Sequence, residues 1–212
     1  MDFDFRRYLK NYGALWEWDP KLEKQPHAIL TSKMHSNGFI NISEFGTYPC
    51  KLSIAIEHLK DKLERKMDLT PQVDWVIGSA MGGITLAHEM AKLYNARTAY
   101  TEKEGDGMVL KRFDVKRGSR VLVVEDVSTT GGTSVKTIAE LEYNGCEVYP
   151  FIPSLVSRMS DDRVVLRSGA SSMIVYLEQL IYDQWQPNEC PLCRTGSTAL
   201  KPKENWDTFM SR

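Results

Sequence analysis

The chain has 212 residues, 42% of them hydrophobic, which is enough to bury the core of one α/β domain with an elaboration. A formal net charge of −1 gives no basic or acidic excess that would indicate a nucleic-acid or membrane surface. No apolar run is long enough to cross a bilayer, and the N-terminus lacks the apolar segment of a secretion signal. Four cysteines in such a chain lead us to expect a reduced, cytoplasmic protein.

The N-terminal segment is rich in aromatic residues and predicts a helix within residues 1–30, followed by a connection through Pro20 and Pro26. Such side chains pack a helix onto a partner surface more often than they bind a ligand. Residues 29–41 then place a polar loop between two apolar pieces, which predicts a turn between short strands. This segment indicates no function by itself, and His35 is interpreted as a surface histidine.

The next segment contains a strand, a loop of small residues and a helix. Apolar residues at helical spacing first predict a helix over residues 51–67. Residues 73–77 predict a strand, and the loop GSAMGG over residues 78–83 precedes a second helix. This arrangement aims backbone N–H groups and a helix N-terminus at a phosphate. Glycine pairs also permit close helix packing, so the loop indicates a ligand only weakly when taken alone.

A charged hairpin follows. Arg97–Glu102 predicts a third strand, and residues 103–113 predict a turn and a return strand. Two interpretations remain open for this hairpin. It is either an exposed charged loop or a flap whose Lys103, Lys111 or Arg112 neutralises a phosphorylated leaving group.

The most informative stretch is Val121–Ser134, VLVVEDVSTTGGTS. Its aliphatic residues predict a strand buried on both faces, and Glu125 and Asp126 stand at the carboxyl end of that strand. The hydroxyl-rich and glycine-rich loop that follows has neither a Gly-Lys-Ser/Thr ending nor a GxGxxG pattern, which argues against nucleotide-binding P-loops and dinucleotide folds. Adjacent carboxylates would repel a polyphosphate but accept hydrogen bonds from the vicinal hydroxyls of a sugar. The stretch therefore fits a ribose with a phosphate at one end.

Both loops follow strands of the same predicted sheet. In an open parallel sheet the carboxyl ends of the strands form the edge where ligands bind. Two phosphate-binding loops at that edge fit a substrate that is phosphorylated at both ends. Arg158, just past the strand residues 148–156, belongs to the same edge and offers a guanidinium to a carboxylate or a pair of carbonyl groups.

The C-terminal segment predicts a hairpin across Gly169 and then carries Cys190-Pro-Leu-Cys193. This cysteine pair is one half of a zinc ligand set. The other cysteines, Cys50 and Cys146, and the four histidines form no matching pair in the sequence. We therefore do not expect a complete structural zinc site within one chain.

Val121–Ser134 closely resembles the 5-phosphoribosyl-1-pyrophosphate (PRPP) signature of type I phosphoribosyltransferases, a hydrophobic strand followed by Glu-Asp and Thr-Thr-Gly-Gly. Other segments resemble the orotate phosphoribosyltransferase family. Residues 30–41 are similar to its hood segment, residues 77–87 to its pyrophosphate loop, and Arg158 to its base-recognising arginine. The Cys-Pro-Leu-Cys tail also resembles that of some bacterial members.

The resemblance implies an α/β fold with an open, mostly parallel sheet flanked by helices. It implies one phosphoribosyltransferase domain with a core over about residues 51–159. A small hood would come from about residues 1–50 and 160–212. The family is usually a homodimer in which the flap of one subunit reaches the site of the other.

The implied reaction transfers the 5-phosphoribosyl group from PRPP to orotate and gives orotidine 5′-monophosphate and pyrophosphate in pyrimidine biosynthesis. Mg²⁺ would be bound mainly through PRPP, with no side-chain ligand assigned, and would share the leaving charge with Lys103. Lys103 and Asp126 are the implied catalytic residues, and orotate would contact Phe39, Thr129 and Arg158. The residues implied for PRPP binding are Ala80, Met81, Gly82, Gly83, Lys103, Glu125, Asp126, Ser128, Thr129, Thr130, Gly131, Gly132 and Thr133.

Two features depart from the family pattern. Lys33 replaces the usual glycine of the hood segment, and the flap over residues 101–108 lacks Lys-x-x-Lys-x-His-Gly and resembles the short-loop branch, where Lys103 is the remaining cation. The alternatives are an enzyme for another purine or pyrimidine base, which would differ in the hood, and a catalytically inactive member. A PRPP-sensing regulator on the same fold would need a basic face, which the net charge of −1 argues against.

Overall fold

A computed structural model describes residues 3–22 and 25–211 and divides the chain into two units. The first unit contains Tyr48–Leu180, and the second combines the segment that ends at Thr47 with the segment that begins at Ile181. The predicted boundary near residue 160 therefore differs from the observed one. The reason is that the strands between residues 160 and 180 pair with the sheet of the first unit.

Helices and strands alternate through the middle of the chain, whereas both terminal segments contain only short elements. The helices are α1 (Phe5–Asn11), α2 (Ile42–Gly46), α3 (Pro49–Met67), α4 (Gly83–Tyr94), α5 (Gly132–Tyr143), α6 (Pro191–Arg194) and α7 (Trp206–Met210). The strands are β1 (Leu15–Glu17), β2 (His27–Ile29), β3 (His35–Ser36), β4 (Gly38–Ile40), β5 (Trp75–Ser79), β6 (Arg97–Glu104), β7 (Gly107–Val109), β8 (Arg120–Ser128), β9 (Glu147–Val148), β10 (Phe151–Ser157), β11 (Arg163–Val165), β12 (Ser171–Gln179), β13 (Gln184–Trp185) and β14 (Ala199–Leu200).

The first unit is built on one eight-stranded sheet in the order β11-β12-β10-β8-β5-β6-β7, with β9 paired to β8. The central pairs are parallel, whereas β11 with β12 and β6 with β7 are antiparallel hairpins at the two edges. An open, mostly parallel sheet with flanking helices is thus confirmed.

The centre of this sheet is apolar because both of its faces are covered. All five residues of β5 are buried, as are Val121–Glu125 of β8, and Trp75 lies opposite Val121 in the parallel register. The apolar stripe predicted for residues 51–67 is buried along α3, which begins with Pro49 in its first turn. The burial of these side chains fixes the register of β5 and β8, the strands whose carboxyl ends carry the candidate site.

The predicted N-terminal helix is confirmed only over Phe5–Asn11 and does not extend through the later aromatic residues. The helix α1 ends at Asn11, Gly13 adopts φ +63°, and the chain then forms β1. Trp16 of β1 pairs with Phe39 of β4 and is only 6% exposed. Pairing with β4 buries Trp16, and this tertiary contact overrides the helical preference of the local sequence.

The second unit contains two small sheets, a β1-β4 pair and a four-stranded sheet in the order β13-β3-β2-β14. Trp16, Ala28 and Phe209 form one buried apolar cluster within it. The indole Nε1 of Trp206 donates a hydrogen bond to the carbonyl oxygen of Gly13 over 3.0 Å, joining the C-terminal segment to the N-terminal one. Among residues 3–22 and 25–211, the helices lack the combination of length and apolar character that spanning a membrane requires.

Candidate active site

The candidate site lies at the carboxyl ends of the neighbouring strands β5 and β8. The chain leaves β5 through α4 to reach β6 on one side, and it leaves β8 through α5 to reach β10 on the other. Because these two crossovers diverge, a crevice opens outside the strand ends, as at the ligand sites of open α/β sheets. The predicted placement of both loops at one sheet edge is therefore confirmed.

The loop after β5 connects directly to α4. The backbone N–H of Ala80 donates a hydrogen bond to the carbonyl oxygen of Thr101 in β6 over 2.8 Å, which holds the loop against the neighbouring strand. The peptide between Ala80 and Met81 is cis, and the Met81 side chain is 81% exposed. The helix α4 begins at Gly83, so this short loop presents backbone groups rather than long polar side chains.

The loop after β8 leads from a buried strand end to exposed hydroxyl groups. Ser128 ends β8 and is buried, whereas Thr129, Thr130 and Thr133 are exposed. The helix α5 begins at Gly132, and its first-turn N–H groups have no partner within the helix. The N–H of Gly132 donates a long hydrogen bond of 3.4 Å to Oγ1 of Thr130. Exposed hydroxyl groups beside N–H groups at a helix N-terminus form a site suited to a phosphate.

Glycine is required at two points of these loops. A Cβ atom on Gly82 would overlap Oδ2 of Asp126, so the backbone of the first loop directly contacts the second carboxylate. Gly131 has φ +71°, and a Cβ atom there would overlap Cγ1 of Val164. The sequence placed both glycines in ligand loops, but their close packing against Asp126 and Val164 becomes visible only in the structure.

Replacing Gly82 with alanine tests this contact. The added methyl group cannot fit beside Oδ2 of Asp126, so the Asp126 side chain or the loop must move. We expect Gly82→Ala to lower kcat/KM about 100-fold because a displacement of about 1 Å in a site can cost that much. Gly46→Ala, which adds the same methyl group where no neighbouring heavy atom lies within 4 Å, is the control and should change kcat/KM far less. Equal losses in the two variants would contradict the role of the close approach.

Glu125 is buried in a polar environment. Its side-chain Oε2 accepts a hydrogen bond from Ser134 Oγ over 2.9 Å. Burial, followed by the neighbouring charge of Asp126, raises the pKa of Glu125 to about 7. Nearby, the buried hydroxyl of Thr137 lies 3.1 Å from that of Ser79. A carboxyl group with such a shifted pKa, at the edge of a crevice, is characteristic of a functional site.

Because the pKa of Glu125 is raised, we expect the stability difference between Glu125→Gln and the unaltered protein to depend on pH. The ordinary pKa is 4.5 and the folded-state pKa about 7, so the folded state holds the proton more tightly. The contribution of Glu125 to stability is therefore greatest below pH 4.5 and falls as the pH rises to about 7. Glu125→Gln removes this dependence. We subtract the free energy of unfolding of the unaltered protein from that of the variant, both measured by urea denaturation. We expect this difference to rise by roughly 3 kcal/mol between low pH and neutral pH. A difference that does not change with pH would contradict this assignment.

Lys103 is the best-placed cation of the flap. It lies in β6 opposite Met108 of β7, which confirms the predicted hairpin, and it is exposed. The other two cations are engaged: Nζ of Lys111 lies 2.7 Å from Glu104, and Nε of Arg112 lies 2.8 Å from Glu102. Within the described part of the chain no ion pair involves Lys103, so its ammonium group can interact with a ligand.

Arg158 follows directly after β10 and lies beside the second loop. Its backbone N–H donates a hydrogen bond to the carbonyl oxygen of Ser128 over 2.7 Å, and Ser157 pairs with Ser128 in the parallel register. The predicted position of Arg158 at the ligand edge is therefore confirmed. Phe39 belongs to the second unit, where its ring centroid lies 5.9 Å from that of Trp206, and its contact with a base remains a prediction.

A group of side chains in the second unit was missed by the sequence analysis. His35, interpreted as a surface histidine, is only 7% exposed, and its ring faces His27, which is fully buried. Both histidines lie beside Cys190 and Cys193. The four residues form a complete candidate ligand set, which the sequence analysis did not expect because strand pairing, rather than short sequence spacing, brings the histidines together.

The mostly parallel sheet with its divergent crossovers has the type I phosphoribosyltransferase fold. No protein-family profile matches the chain. Its sequence is 32% identical over 185 residues to the orotate phosphoribosyltransferase of Sulfurovum sp. strain NBC37-1, covering 83% of this chain and 90% of the relative. It is 37% identical over 183 residues to that of Caldicellulosiruptor bescii, covering 83% of this chain and 87% of the relative. The crystal structure of the orotate phosphoribosyltransferase from Aeropyrum pernix matches with a TM-score of 0.63 and 26% identity, over 82% of this chain and 92% of that one. The chain belongs to the orotate phosphoribosyltransferase family.

Proposed function

We propose that this chain transfers the 5-phosphoribosyl group of PRPP to orotate and releases orotidine 5′-monophosphate and pyrophosphate. The observation that carries the proposal is the contact between Gly82 and Asp126, which joins a loop suited to pyrophosphate to a carboxylate suited to ribose. Family membership supports orotate as the acceptor, since the relatives named above are orotate phosphoribosyltransferases.

Each part of PRPP has a matching part of the site. The exposed hydroxyl groups of Thr129, Thr130 and Thr133 and the N–H groups at the start of α5 suit the 5′-phosphate. The carboxyl groups of Glu125 and Asp126 suit the ribose 2′- and 3′-hydroxyl groups, which donate hydrogen bonds to carboxylates. The backbone of Ala80–Gly83 faces the pyrophosphate in this assignment. PRPP would thus span the crevice between β5 and β8.

The proposed reaction is a substitution at C1 of the ribose. A bond forms between a ring nitrogen of orotate and C1, and the proton of that nitrogen is released to solvent. The bond between C1 and the pyrophosphate oxygen breaks, and its electron pair leaves on pyrophosphate. Positive charge develops on the ribose, where the Asp126 carboxylate stabilises it, and negative charge develops on pyrophosphate, where the Lys103 ammonium group stabilises it. This route needs no side-chain nucleophile.

We propose that Mg²⁺ enters with PRPP. Mg²⁺ prefers hard oxygen ligands, and the carboxylate oxygens of Asp126, which contact the Gly82 backbone, are suitable neighbours for such an ion. The bound ion would supply neutralisation of the pyrophosphate charge. We also propose a cytoplasmic homodimer, following the family resemblance.

Arg158 is proposed to recognise the base. Its guanidinium can form a fork of two hydrogen bonds with the carboxylate or carbonyl groups of orotate, which a lysine cannot reproduce. We expect Arg158→Ala and Arg158→Lys to raise the KM for orotate about 10- to 100-fold, the range for a lost charge-assisted hydrogen bond, with little change in the KM for PRPP. An equal rise in both KM values would contradict a role in base recognition.

The proposed function is tested by mixing the purified protein with PRPP, Mg²⁺ and orotate and following the ultraviolet absorbance of orotate. We expect consumption that requires both PRPP and Mg²⁺ and produces pyrophosphate. If orotate is not consumed but PRPP raises the Tm of the protein, the PRPP site stands and orotate is the wrong base. A panel of purine and pyrimidine bases then identifies the acceptor. If PRPP does not bind, the interpretation of Val121–Ser134 is wrong.

A further inference from the structure

Four side chains that the proposed reaction does not use meet inside the second unit: His27, His35, Cys190 and Cys193. Three of them are almost completely buried, with exposures of 0% for His27, 7% for His35 and 1% for Cys190. We propose that these four side chains bind a structural zinc ion, which joins the N-terminal and C-terminal segments of the chain.

Four of the six distances between the ligand atoms are close to those of a tetrahedral site. Nε2 of His27 lies 2.9 Å from Nδ1 of His35 and 3.5 Å from Sγ of Cys190. Sγ of Cys193 lies 3.4 Å from the first nitrogen and 3.3 Å from the second. All four atoms lie within 4.8 Å of one another. Ordinary zinc bond lengths in a tetrahedron place two nitrogens about 3.3 Å apart, nitrogen and sulfur about 3.5 Å apart, and two sulfurs about 3.8 Å apart.

Strand pairing explains how the four residues meet. In the antiparallel β2-β3 pair, Ile29 lies opposite His35, so His27 is the diagonal neighbour of His35 on the same face. The parallel pairing of β14 with β2 then returns the C-terminal segment to His27. Cys190 directly precedes α6 and Cys193 lies within it, so one turn of backbone presents both sulfur atoms.

The hydrogen bonds of Ser197 fix the protonation of His27. The hydroxyl of Ser197 donates its only hydrogen to the carbonyl oxygen of Gln25 over 2.7 Å. The same hydroxyl lies 2.8 Å from Nδ1 of His27 and therefore accepts a hydrogen bond from it. With the proton on Nδ1, Nε2 of His27 directs its lone pair toward the other three ligand atoms. Such an outer hydrogen bond is the usual way in which a metal-binding histidine is oriented.

The ligand set identifies both the metal and its role. Two imidazoles and two thiols suit Zn²⁺ rather than Mg²⁺ or Ca²⁺, which prefer oxygen ligands. Four protein ligands leave no coordination position for a substrate, so the site is structural rather than catalytic. The second unit contains only short strands among the described residues, and small units of this kind commonly gain stability from a bound metal.

Metal analysis of the full-length protein tests the proposal. We expect protein purified without chelators under reducing conditions to contain about one zinc ion per chain by inductively coupled plasma mass spectrometry. The double variant Cys190→Ser/Cys193→Ser should contain less than about a tenth of that amount. Cys50→Ser, which replaces an exposed cysteine of the first unit, is the control and should retain the full amount.

Cobalt substitution distinguishes a specific site from loss of folding in the double variant. Apo-protein loaded with Co²⁺ should show the visible absorption of a tetrahedral thiolate site, and Zn²⁺ should displace it. Cys193→His keeps four ligands and should retain the metal while weakening the thiolate-to-cobalt absorption. Removing zinc with a chelator should lower the Tm of the unaltered protein and of Cys50→Ser. A protein that takes up neither metal, a disulfide between Cys190 and Cys193, or full zinc content in the double variant would each overturn the proposal. None of these measurements depends on orotate turnover.

Discussion

Asp126→Asn is expected to lower kcat/KM for PRPP about 100- to 1,000-fold while the Tm changes little. The substitution preserves the shape of the side chain, so the space beside Gly82 remains filled. The hydrogen bond that Oδ1 accepts from the Val127 N–H over 2.9 Å can also form with the amide oxygen of asparagine. What is lost is the negative charge that stabilises positive charge on the ribose and accepts its hydroxyl hydrogen bonds. Initial rates of orotate consumption measure the loss.

A second readout separates loss of charge from loss of structure. The charge of Asp126 is the second cause, after burial, of the raised pKa of Glu125. Asp126→Asn should therefore lower the pKa of Glu125, and the acid limb of the pH-rate profile should move to lower pH. Glu125→Gln should remove that limb. A variant that keeps its Tm and also keeps kcat/KM within about threefold of the unaltered protein would contradict the role given to Asp126.

The sequence was sufficient to predict the features that depend on local pattern. Three features are encoded within single short segments that combine a periodic pattern of hydrophobic residues with turn residues. They are the buried strand ending in Glu125 and Asp126, the small-residue loop before α4 and the flap hairpin around Lys103. The sheet class follows from the alternation of such strands and helices. Family resemblance supplied the assignment of the base, which no spacing of residues indicates.

The features that could not be predicted depend on pairing between distant segments. The close approach of the Gly82 backbone to Asp126 follows from the parallel register of β5 and β8, which no single segment specifies. His27 and His35 meet Cys190 and Cys193 only after β2, β3 and β14 have paired. The aromatic N-terminal segment forms a strand after α1 because β4 offers a partner. A search for histidines on two neighbouring short strands, together with a Cys-x-x-Cys pair, could have identified the metal ligands.

Lys103→Ala is expected to lower kcat about 100- to 1,000-fold with a smaller change in the KM for PRPP. The exposed ammonium group stabilises charge that develops only as pyrophosphate leaves, so its loss raises the barrier more than it weakens binding. Lys111→Ala is the matched control because Lys111 lies just past the same hairpin and is already paired with Glu104. An exposed ion pair of this kind contributes little, so kcat of the control should stay within about threefold. Equal losses in both variants would indicate general electrostatics of the flap rather than a specific contact.

Mixing the two inactive variants tests whether the flap acts across a dimer. If Lys103 serves the site of the partner subunit, a dimer of one Lys103→Ala chain and one Asp126→Asn chain has one complete site. That site combines the intact Asp126 of the first chain with the intact Lys103 of the second, whereas the other site lacks both groups. Random exchange of subunits should then restore about a quarter of the activity of the unaltered dimer. If Lys103 serves the site of its own chain, no combination contains a complete site, and the mixture stays as inactive as its components. Restored activity would therefore establish both the dimer and the path of the flap, because neither variant can supply the missing group to itself.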